Sequence, residues 1–232
     1  MPRVSDRARP IWLGAAGCAA GFLVVALLVA SGVTDPIDAA IIDVVRAQEL
    51  HDALASLAQV TQLGSTWAVI GVGALVLLTG FLAGRPRDGA AGALTIAIGA
   101  LVIEITKRLF GRARPDFLEP IIVEVGFSFP SGHAANAMVA YGVLGVLVAR
   151  LRWPTAIRAA VIVVLVAIVF GVGLSRVWLG VHYPTDVVAG WLLGGTIVLT
   201  YAALTLPASP EPAAEGAVAD PAAQRSDRPA AG

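Results

Sequence analysis

Apolar residues occur along this chain in long, nearly uninterrupted stretches instead of on one face of a helix. Six stretches approach the roughly 20 residues that a helix needs to cross the hydrocarbon core of a bilayer. They cover residues 11–33, 66–84, 89–106, 134–149, 159–175 and 187–206. The separating segments are short and polar, and Gly and Ala are frequent in the apolar stretches, which suits close helix packing in a membrane. The pattern predicts an all-α fold, a polytopic membrane protein with a bundle of six transmembrane helices.

Two segments outside this pattern complete the expected domain organisation. Residues 207–232 are rich in Pro and Ala with scattered charge, which predicts a disordered tail after a single transmembrane domain over 1–206. In residues 34–65, Ile37, Ile41 and Val44 recur at helical spacing. That spacing is typical of an amphipathic helix at the membrane interface, and a connecting loop fits it equally well.

The first apolar stretch has two interpretations. Arginines precede it, and Val29-Ala30-Ser31 would serve as the cleavage site of a signal peptide. Its length of about 22 residues exceeds the usual core of about 7–15 residues in a signal peptide, which favours a retained membrane anchor. Cleavage would leave the other five predicted helices unchanged.

Composition and charge support a membrane protein and predict its orientation. The chain is 57% hydrophobic and 14% charged, and its sixteen basic and sixteen acidic residues cancel, so no nucleic-acid partner is expected. Its single cysteine excludes an internal disulfide and a multi-cysteine metal site. Cytoplasmic loops are enriched in Lys and Arg, and a cytoplasmic N-terminus places ten of the basic residues inside and six outside. We therefore expect a multi-pass protein of the cell membrane with both termini in the cytoplasm.

Three short segments on the predicted outer side hold an unusual density of cationic and imidazole groups beside membrane helices. They are residues 107–115, 130–133 and 175–186. Of the cations in the first, Lys107 and Arg114 are candidates for stabilising a transferring phosphoryl group. Arg108 and Arg112 fit better as interfacial charges at a helix end. Glu104, one turn earlier, is expected to pair with Lys107 or Arg108.

The second segment, Pro130-Ser131-Gly132-His133, has the features of a helix start that binds an anion. Serine is a favoured N-cap residue, and glycine lets backbone amides approach a ligand. The free N–H groups and the helix dipole then favour phosphate. An ordinary capped helix with an incidental histidine is the alternative.

The third segment places His182 four residues before Asp186, with Pro184 suited to open the last helix. A carboxylate that accepts the Nδ1 proton would leave the Nε2 lone pair free, as a histidine nucleophile requires. A purely structural pair at a helix end is the alternative. Arg176 lies at the membrane boundary in the same segment. Asp116, Glu119 and Glu124 are too irregularly spaced to suggest a metal site, so neither a metal nor a cofactor is expected.

Together these residues resemble the complete three-part signature of the type-2 phosphatidic acid phosphatase family. The match comprises Lys107, six residues and Arg114-Pro115; then residues 130–133; then Ser175-Arg176, five residues, His182, three residues and Asp186. No position of the signature departs, and the resemblance covers roughly residues 100–190.

The resemblance implies a role for each matched position. His182 would attack phosphorus, and Asp186 would orient the imidazole of His182. His133 would protonate the departing oxygen. The phosphate oxygens would be held by Lys107, Arg114, Ser131, Gly132 and Arg176, without a metal or cofactor.

The expected function is hydrolysis of a phosphate or diphosphate ester of a membrane lipid at the outer face. Polyprenyl diphosphate, phosphatidic acid and phosphatidylglycerophosphate are the candidate substrates implied by family membership. Three alternatives follow from the same residues: a non-catalytic protein that binds or transports anionic headgroups, a phosphotransferase with an alcohol acceptor, and a haloperoxidase. The apolar composition disfavours the last, because the family's haloperoxidases are soluble.

Overall fold

The computed structural model describes residues 8–47, 51–116 and 124–206, which form eight α-helices and no strands. The predicted tail at 207–232 lies outside the described residues. The helices are α1 (Arg9–Ala30), α2 (Asp35–Arg46), α3 (His51–Gln62), α4 (Thr66–Leu82), α5 (Pro86–Phe110), α6 (Gly132–Ala149), α7 (Thr155–Trp178) and α8 (Pro184–Leu204). The prediction of an all-α membrane protein is confirmed.

Five of the described helices, α1, α5, α6, α7 and α8, are long and apolar enough to cross a bilayer. A sixth span requires α4 to continue from the second half of α3, across a bend of 43°. The bend occurs at Gly64, where a Cβ atom would come within 2.6 Å of the Val172 side chain and 3.0 Å of the His133 carbonyl oxygen. Close packing against α6 and α7 therefore accounts for the break.

The long helices alternate in direction, and close glycine contacts define their crossings. A Cβ atom on Gly80 of α4 would lie 2.6 Å from the Cα atom of Gly89 in α5. A Cβ atom on Gly190 of α8 would lie 2.8 Å from the Ser131 carbonyl oxygen just before α6. The first contact places the end of α4 beside the start of α5, and the second places the starts of α6 and α8 side by side. Thus α4, α6 and α8 begin, and α5 and α7 end, at the same end of the bundle. This end carries all three segments that the sequence singled out.

Both α2 and α3 belong to the segment that the sequence left open between a helix and a loop. On α2, Ile42 and Val45 are buried against α6, α7 and α8, whereas Ile37 and Val44 are exposed. The helix therefore covers the end of the bundle that holds the candidate site. It does so with the side of its surface that also carries the buried Asp38.

Candidate active site

A cavity of about 420 Å³ opens where the three segments meet. Its walls include five of the residues singled out from the sequence: Lys107, Arg114, Gly132, His133 and His182. The remaining three, Ser131, Arg176 and Asp186, are fully buried. Hydrogen bonds described below connect Arg176 and Asp186 to residues of the wall, and Ser131 directly precedes Gly132 of the wall. The fold thus brings all eight candidate residues into one region.

Local sequence explains why Asp186 points into this region. Pro184 occupies the first position of α8, and Tyr183 precedes it with extended backbone. Asp186, in the first turn, accepts a hydrogen bond of 2.9 Å from the backbone N–H of Tyr183, which is the reciprocal half of a capping box. The backbone N–H of Ser131 also donates to the Asp186 carbonyl oxygen at 2.9 Å, so the starts of α6 and α8 are held together.

The imidazole of His182 lies between a carboxylate and a guanidinium. Its Nδ1 atom is 3.4 Å from Asp186 Oδ2, and its Nε2 atom is 3.0 Å from Arg114 Nη1. A guanidinium donates hydrogen bonds and accepts none, so Nε2 must be the acceptor and Nδ1 carries the proton. This is the tautomer that the sequence predicts for a nucleophile, with the Nε2 lone pair directed to the cationic side of the site.

Burial keeps this imidazole neutral. Removal from solvent lowers the pKa of His182 to about 3, despite the opposing effects of the hydrogen bond and negative charge of Asp186. The neutral form of an imidazole is present above its pKa and is lost as the pH falls through that value. The Nε2 lone pair is therefore available over the whole physiological range without a separate deprotonation.

The carboxylate of Asp186 accepts hydrogen bonds at both oxygens. On Oδ2 it receives the hydroxyl of Ser128 in addition to the Tyr183 amide, and on Oδ1 it receives Arg112 Nη1 at 2.8 Å. Ser128 is fully buried, and its hydroxyl also lies 3.3 Å from His182 Nδ1. The sequence analysis did not identify Ser128. In the sequence, only its position two residues before Pro130 could have marked Ser128 as a candidate site residue.

Arg112 has a different position from the one that the sequence suggests. The sequence assigns it to the membrane interface, but its guanidinium connects Asp186 to Asp38 of α2 at 2.8 Å and lies 4.3 Å from the centre of the Tyr183 ring. Burial alone would lower the pKa of Arg112, but the hydrogen bond to Asp38 and the charge of Asp186 outweigh it and raise the pKa. Arg112 therefore stays charged and fixes the second oxygen of Asp186.

Arg108 fits its sequence interpretation. Its guanidinium pairs with Glu104 at 2.8 Å, and both side chains are more than half exposed. Exposed pairs of this kind contribute little to stability.

A matched pair of substitutions separates these two arginines. Arg112→Gln should lower kcat by about 10-fold to 100-fold, because Asp186 then loses the charged donor that fixes its orientation toward His182. Arg108 also lines the cavity, but its guanidinium pairs with Glu104 and not with Asp186, so Arg108→Gln should change kcat by less than about threefold. Both values follow from steady-state phosphate release by purified protein in detergent. A similar loss in both variants would contradict the positioning role of Arg112.

The cationic side of the site is built around Arg176. This side chain is fully buried and donates to Thr61 Oγ1 at 2.8 Å and to Glu124 Oε1 at 2.5 Å. Its Nε atom and the hydroxyl of Ser131 are buried without a hydrogen-bond partner among the described residues. Buried polar atoms are ordinarily paired, so both have capacity left for a bound anion.

Lys107 completes the cationic side. Its Nζ atom donates to the Phe127 carbonyl oxygen at 2.8 Å. Its Cε atom lies 3.1 Å from the place where a Cβ atom on Gly132 would be. Glycine at 132 therefore leaves room for the lysine side chain against the start of α6.

Glu124 contributes a carboxylate where an anionic ligand would bind. It pairs with Arg176, and its other oxygen is 3.8 Å from Arg114 Nη2. Burial alone would raise the pKa of Glu124, but the charge and hydrogen bond of Arg176 hold it below its ordinary value. Glu124 is therefore ionised and partly neutralises the two arginines. Among the described residues, no group of three or more His, Cys, Asp or Glu side chains is arranged to hold a metal ion.

Comparison with known proteins identifies the same region. The family described as the PAP2 superfamily matches residues 89–208. Phosphatidylglycerophosphatase B of Bacillus subtilis is 35% identical over 136 residues, which are 58% of this chain and 66% of that protein. A lipid A 1-phosphatase of Rhizobium etli is 33% identical over 110 residues, which are 44% of this chain and 43% of that protein. The chain thus spans less than two thirds of the length of these two relatives.

A solved structure is similar over a larger share. The transmembrane PAP2 type phosphatidylglycerolphosphate phosphatase from Bacillus subtilis superposes with a TM-score of 0.74 at 28% identity. The superposition covers 81% of this chain and 94% of that one. The similarity therefore includes most of the helical bundle in addition to the segments of the site.

Proposed function

Because the chain belongs to the PAP2 superfamily, we propose that it is a membrane phosphatase that hydrolyses a phosphate or diphosphate ester of a lipid through a phosphohistidine intermediate. One observation carries the proposal. A buried, neutral His182 directs its Nε2 lone pair toward Arg114, on the wall of a cavity that is also lined by His133 and Lys107. An imidazole in this state is a competent nucleophile.

In the first step, His182 Nε2 attacks phosphorus while the bond from phosphorus to the ester oxygen breaks. His133 donates a proton to that oxygen, and the lipid alcohol or lipid monophosphate leaves. The Nδ1 proton remains between His182 and Asp186, whose carboxylate stabilises the cationic imidazole that forms. Arg114, Arg176 and Lys107 offset the negative charge that spreads over the phosphoryl oxygens in the transition state.

In the second step, water attacks the phosphohistidine and the bond between nitrogen and phosphorus breaks. His133, now neutral, accepts a proton from the water and is ready to donate it in the next cycle. Inorganic phosphate leaves, and the Nε2 lone pair is restored. Ser131 and Arg176 Nε, both buried without partners in the described residues, are suited to hold phosphate oxygens through both steps.

The substrate class follows from the position of the cavity. It lies at the end of a bundle of membrane-spanning helices, where a headgroup would sit while its hydrocarbon remains in the bilayer. The relatives named above act on phosphatidylglycerophosphate or lipid A, as their names state. We assign lipid phosphates as a class, with polyprenyl diphosphate, phosphatidic acid and phosphatidylglycerophosphate as the members to compare.

The proposed orientation places this cavity on the outer face and both termini in the cytoplasm. The sequence supports it, because this orientation assigns ten basic residues to the cytoplasmic side and six to the outer side. In a Cys18→Ser background, Val33→Cys, at an exposed position between α1 and α2 at this end of the bundle, should react with an impermeant thiol reagent added to intact cells. Labelling only after the cells are permeabilised would reverse the orientation.

Phosphate release from a panel of lipid phosphates in detergent micelles tests the activity itself. We expect release by the purified protein with no added divalent metal, unchanged by a chelator and blocked by vanadate, which mimics pentacoordinate phosphorus. Loss of activity on chelation would overturn the proposed chemistry. Binding of lipid phosphates without any release would indicate the non-catalytic alternative.

A further inference from the structure

We propose that an arginine-lined cavity at the end of the bundle opposite the catalytic cavity binds the phosphate of an anionic phospholipid. This basal cavity has a volume of about 490 Å³. Its wall comes from two connections, residues 83–85 between α4 and α5 and residues 150–153 between α6 and α7. It shares no lining residue with the catalytic cavity. Binding there is therefore separate from the proposed hydrolysis and does not depend on it.

The basal cavity carries an excess of positive charge. Arg85, Arg150 and Arg152 line it. In the described part of the chain, Asp88 is the one carboxylate that pairs with these arginines, at 2.7 Å from Arg85 Nε and 3.6 Å from Arg150 Nη1. One carboxylate beside three guanidinium groups leaves a net positive charge at this end of the bundle. An anion bound between the arginines would be attracted to that charge.

Two of the three arginines have donors left for a ligand. The side chain of Arg152 is exposed and makes no hydrogen bond or ion pair with the described residues. Arg85 donates to Asp88 from Nε, and its two terminal nitrogens have no partner in the same part of the chain. Arg150, in contrast, donates from both terminal nitrogens to acceptors at the end of α8. Arg85 and Arg152 can therefore bind phosphate oxygens, and Arg150 adds a fixed charge.

The surroundings of the basal cavity favour a lipid over a soluble anion. Trp153, on its wall, is 47% exposed. Phe81 and Leu82, directly before the α4–α5 connection, are 71% and 74% exposed. Tryptophan is enriched at the level of the lipid headgroups, and basic pockets between membrane spans bind anionic headgroups. A phosphate held in the cavity thus has exposed apolar side chains within reach of its acyl chains.

A ligand held by Arg85 and Arg152 would also join the α4–α5 connection to the α6–α7 connection. A ligand that binds only the folded protein raises its unfolding temperature in proportion to the occupancy of the site. The structure therefore predicts that an anionic phospholipid stabilises the bundle, and the dependence of the unfolding temperature on lipid concentration gives an apparent Kd.

The test follows thermal unfolding of the full chain in a neutral detergent at fixed concentration while dioleoylphosphatidylglycerol is added. We expect a saturable rise in the unfolding temperature. Arg152→Gln and Arg85→Gln should each raise the apparent Kd by about tenfold or more, because each removes charged donors to phosphate. Arg87→Gln is the matched control, since Arg87 is exposed near the start of α5 but does not line the cavity. It should change the apparent Kd by less than about threefold.

Two further ligands separate a lipid from its parts. Dioleoylphosphatidylcholine, with the same chains and no net charge, should give no saturable rise. Glycerophosphoglycerol, the same headgroup without acyl chains, should bind at least about 100-fold more weakly, because it buries no hydrocarbon. Equal effects of the lipid and its free headgroup would overturn the assignment to a lipid.

The site itself is tested by where the binding is lost. Absence of any rise with phosphatidylglycerol, or equal losses in Arg87→Gln and Arg152→Gln, would overturn the inference, the latter because it indicates general attraction to a basic surface. Arg114→Gln, in the catalytic cavity, should leave the apparent Kd unchanged. Loss of the rise in Arg114→Gln with retention in Arg152→Gln would place the lipid in the catalytic cavity and overturn the inference.

Discussion

Replacing His182 with Gln should reduce phosphate release by at least about three orders of magnitude, because the reaction then has no atom that can form the covalent intermediate. Glutamine retains a polar side chain of similar size next to Asp186, Ser128 and Arg114. The site should therefore still bind inorganic phosphate, with an affinity within a few-fold of that of the unmodified protein. Steady-state release and phosphate titration by calorimetry measure the two quantities separately.

His51→Gln is the control for this experiment. His51 is the one histidine of the sequence besides His133 and His182, and it begins α3, outside the three segments of the site. Its replacement should leave turnover unchanged. If His182→Gln retained a tenth or more of the activity, His182 could not be the nucleophile. If the unmodified protein bound phosphate but never released it from a lipid, the protein would be a binder of headgroups.

Replacing His133 with Ala should give the second large effect, and its size should depend on the leaving group. For an alkyl leaving group such as a lipid alcohol, the departing oxygen needs a proton, and loss of the general acid should lower kcat/KM by about 10²-fold to 10⁴-fold. For a nitrophenyl leaving group, which departs readily as an anion, the loss should be much smaller. The measurement is kcat/KM for a lipid phosphate and for nitrophenyl phosphate.

The choice of kcat/KM matters for this comparison. It reports only the steps up to formation of the phosphoenzyme, so a slower attack by water in the second step does not affect it. His133→Gln is a useful companion, because it restores a polar side chain to the cavity wall without restoring a proton donor. Equal losses for both substrates would refute the role of His133 as the acid.

Hydrophobic pattern predicted the long helices because a membrane span needs little more than length and low polarity. The apolar stretch at 159–175 corresponds to α7, Thr155–Trp178, and its ends differ because polar residues such as Arg176 continue the helix beyond the apolar part. The break before α4 was not predictable. It depends on how closely Gly64 approaches Val172, a contact between segments far apart in the chain.

The same distinction holds within the candidate site. His182 and Asp186 are four residues apart, so a local pattern sufficed to propose their contact. The partners of Asp186 that the sequence analysis missed, Ser128 and Arg112, are 58 and 74 residues away. Asp38, which holds Arg112 from α2, is also 74 residues from it. Such pairs arise only when the helices pack, and no spacing rule reveals them.

The carboxylate of Glu124 illustrates the same limit. Its irregular spacing from other acidic residues gave no reason to expect a metal site there. The spacing gave no indication that this carboxylate would pair with Arg176, whose guanidinium is buried more than fifty residues further along the chain. The need of a buried cation for a counter-charge explains the pairing once the fold is known.

The covalent step at His182 is the central claim, and trapping the intermediate tests it most directly. The protein would be mixed with a lipid phosphate labelled at phosphorus, quenched in alkali during the first turnover, digested and mapped. The account predicts an alkali-stable, acid-labile label on His182 that appears before free phosphate and is absent from His182→Gln. Complete release of phosphate in a single turnover with no label on the protein at any time, or with the label on another residue, would contradict it.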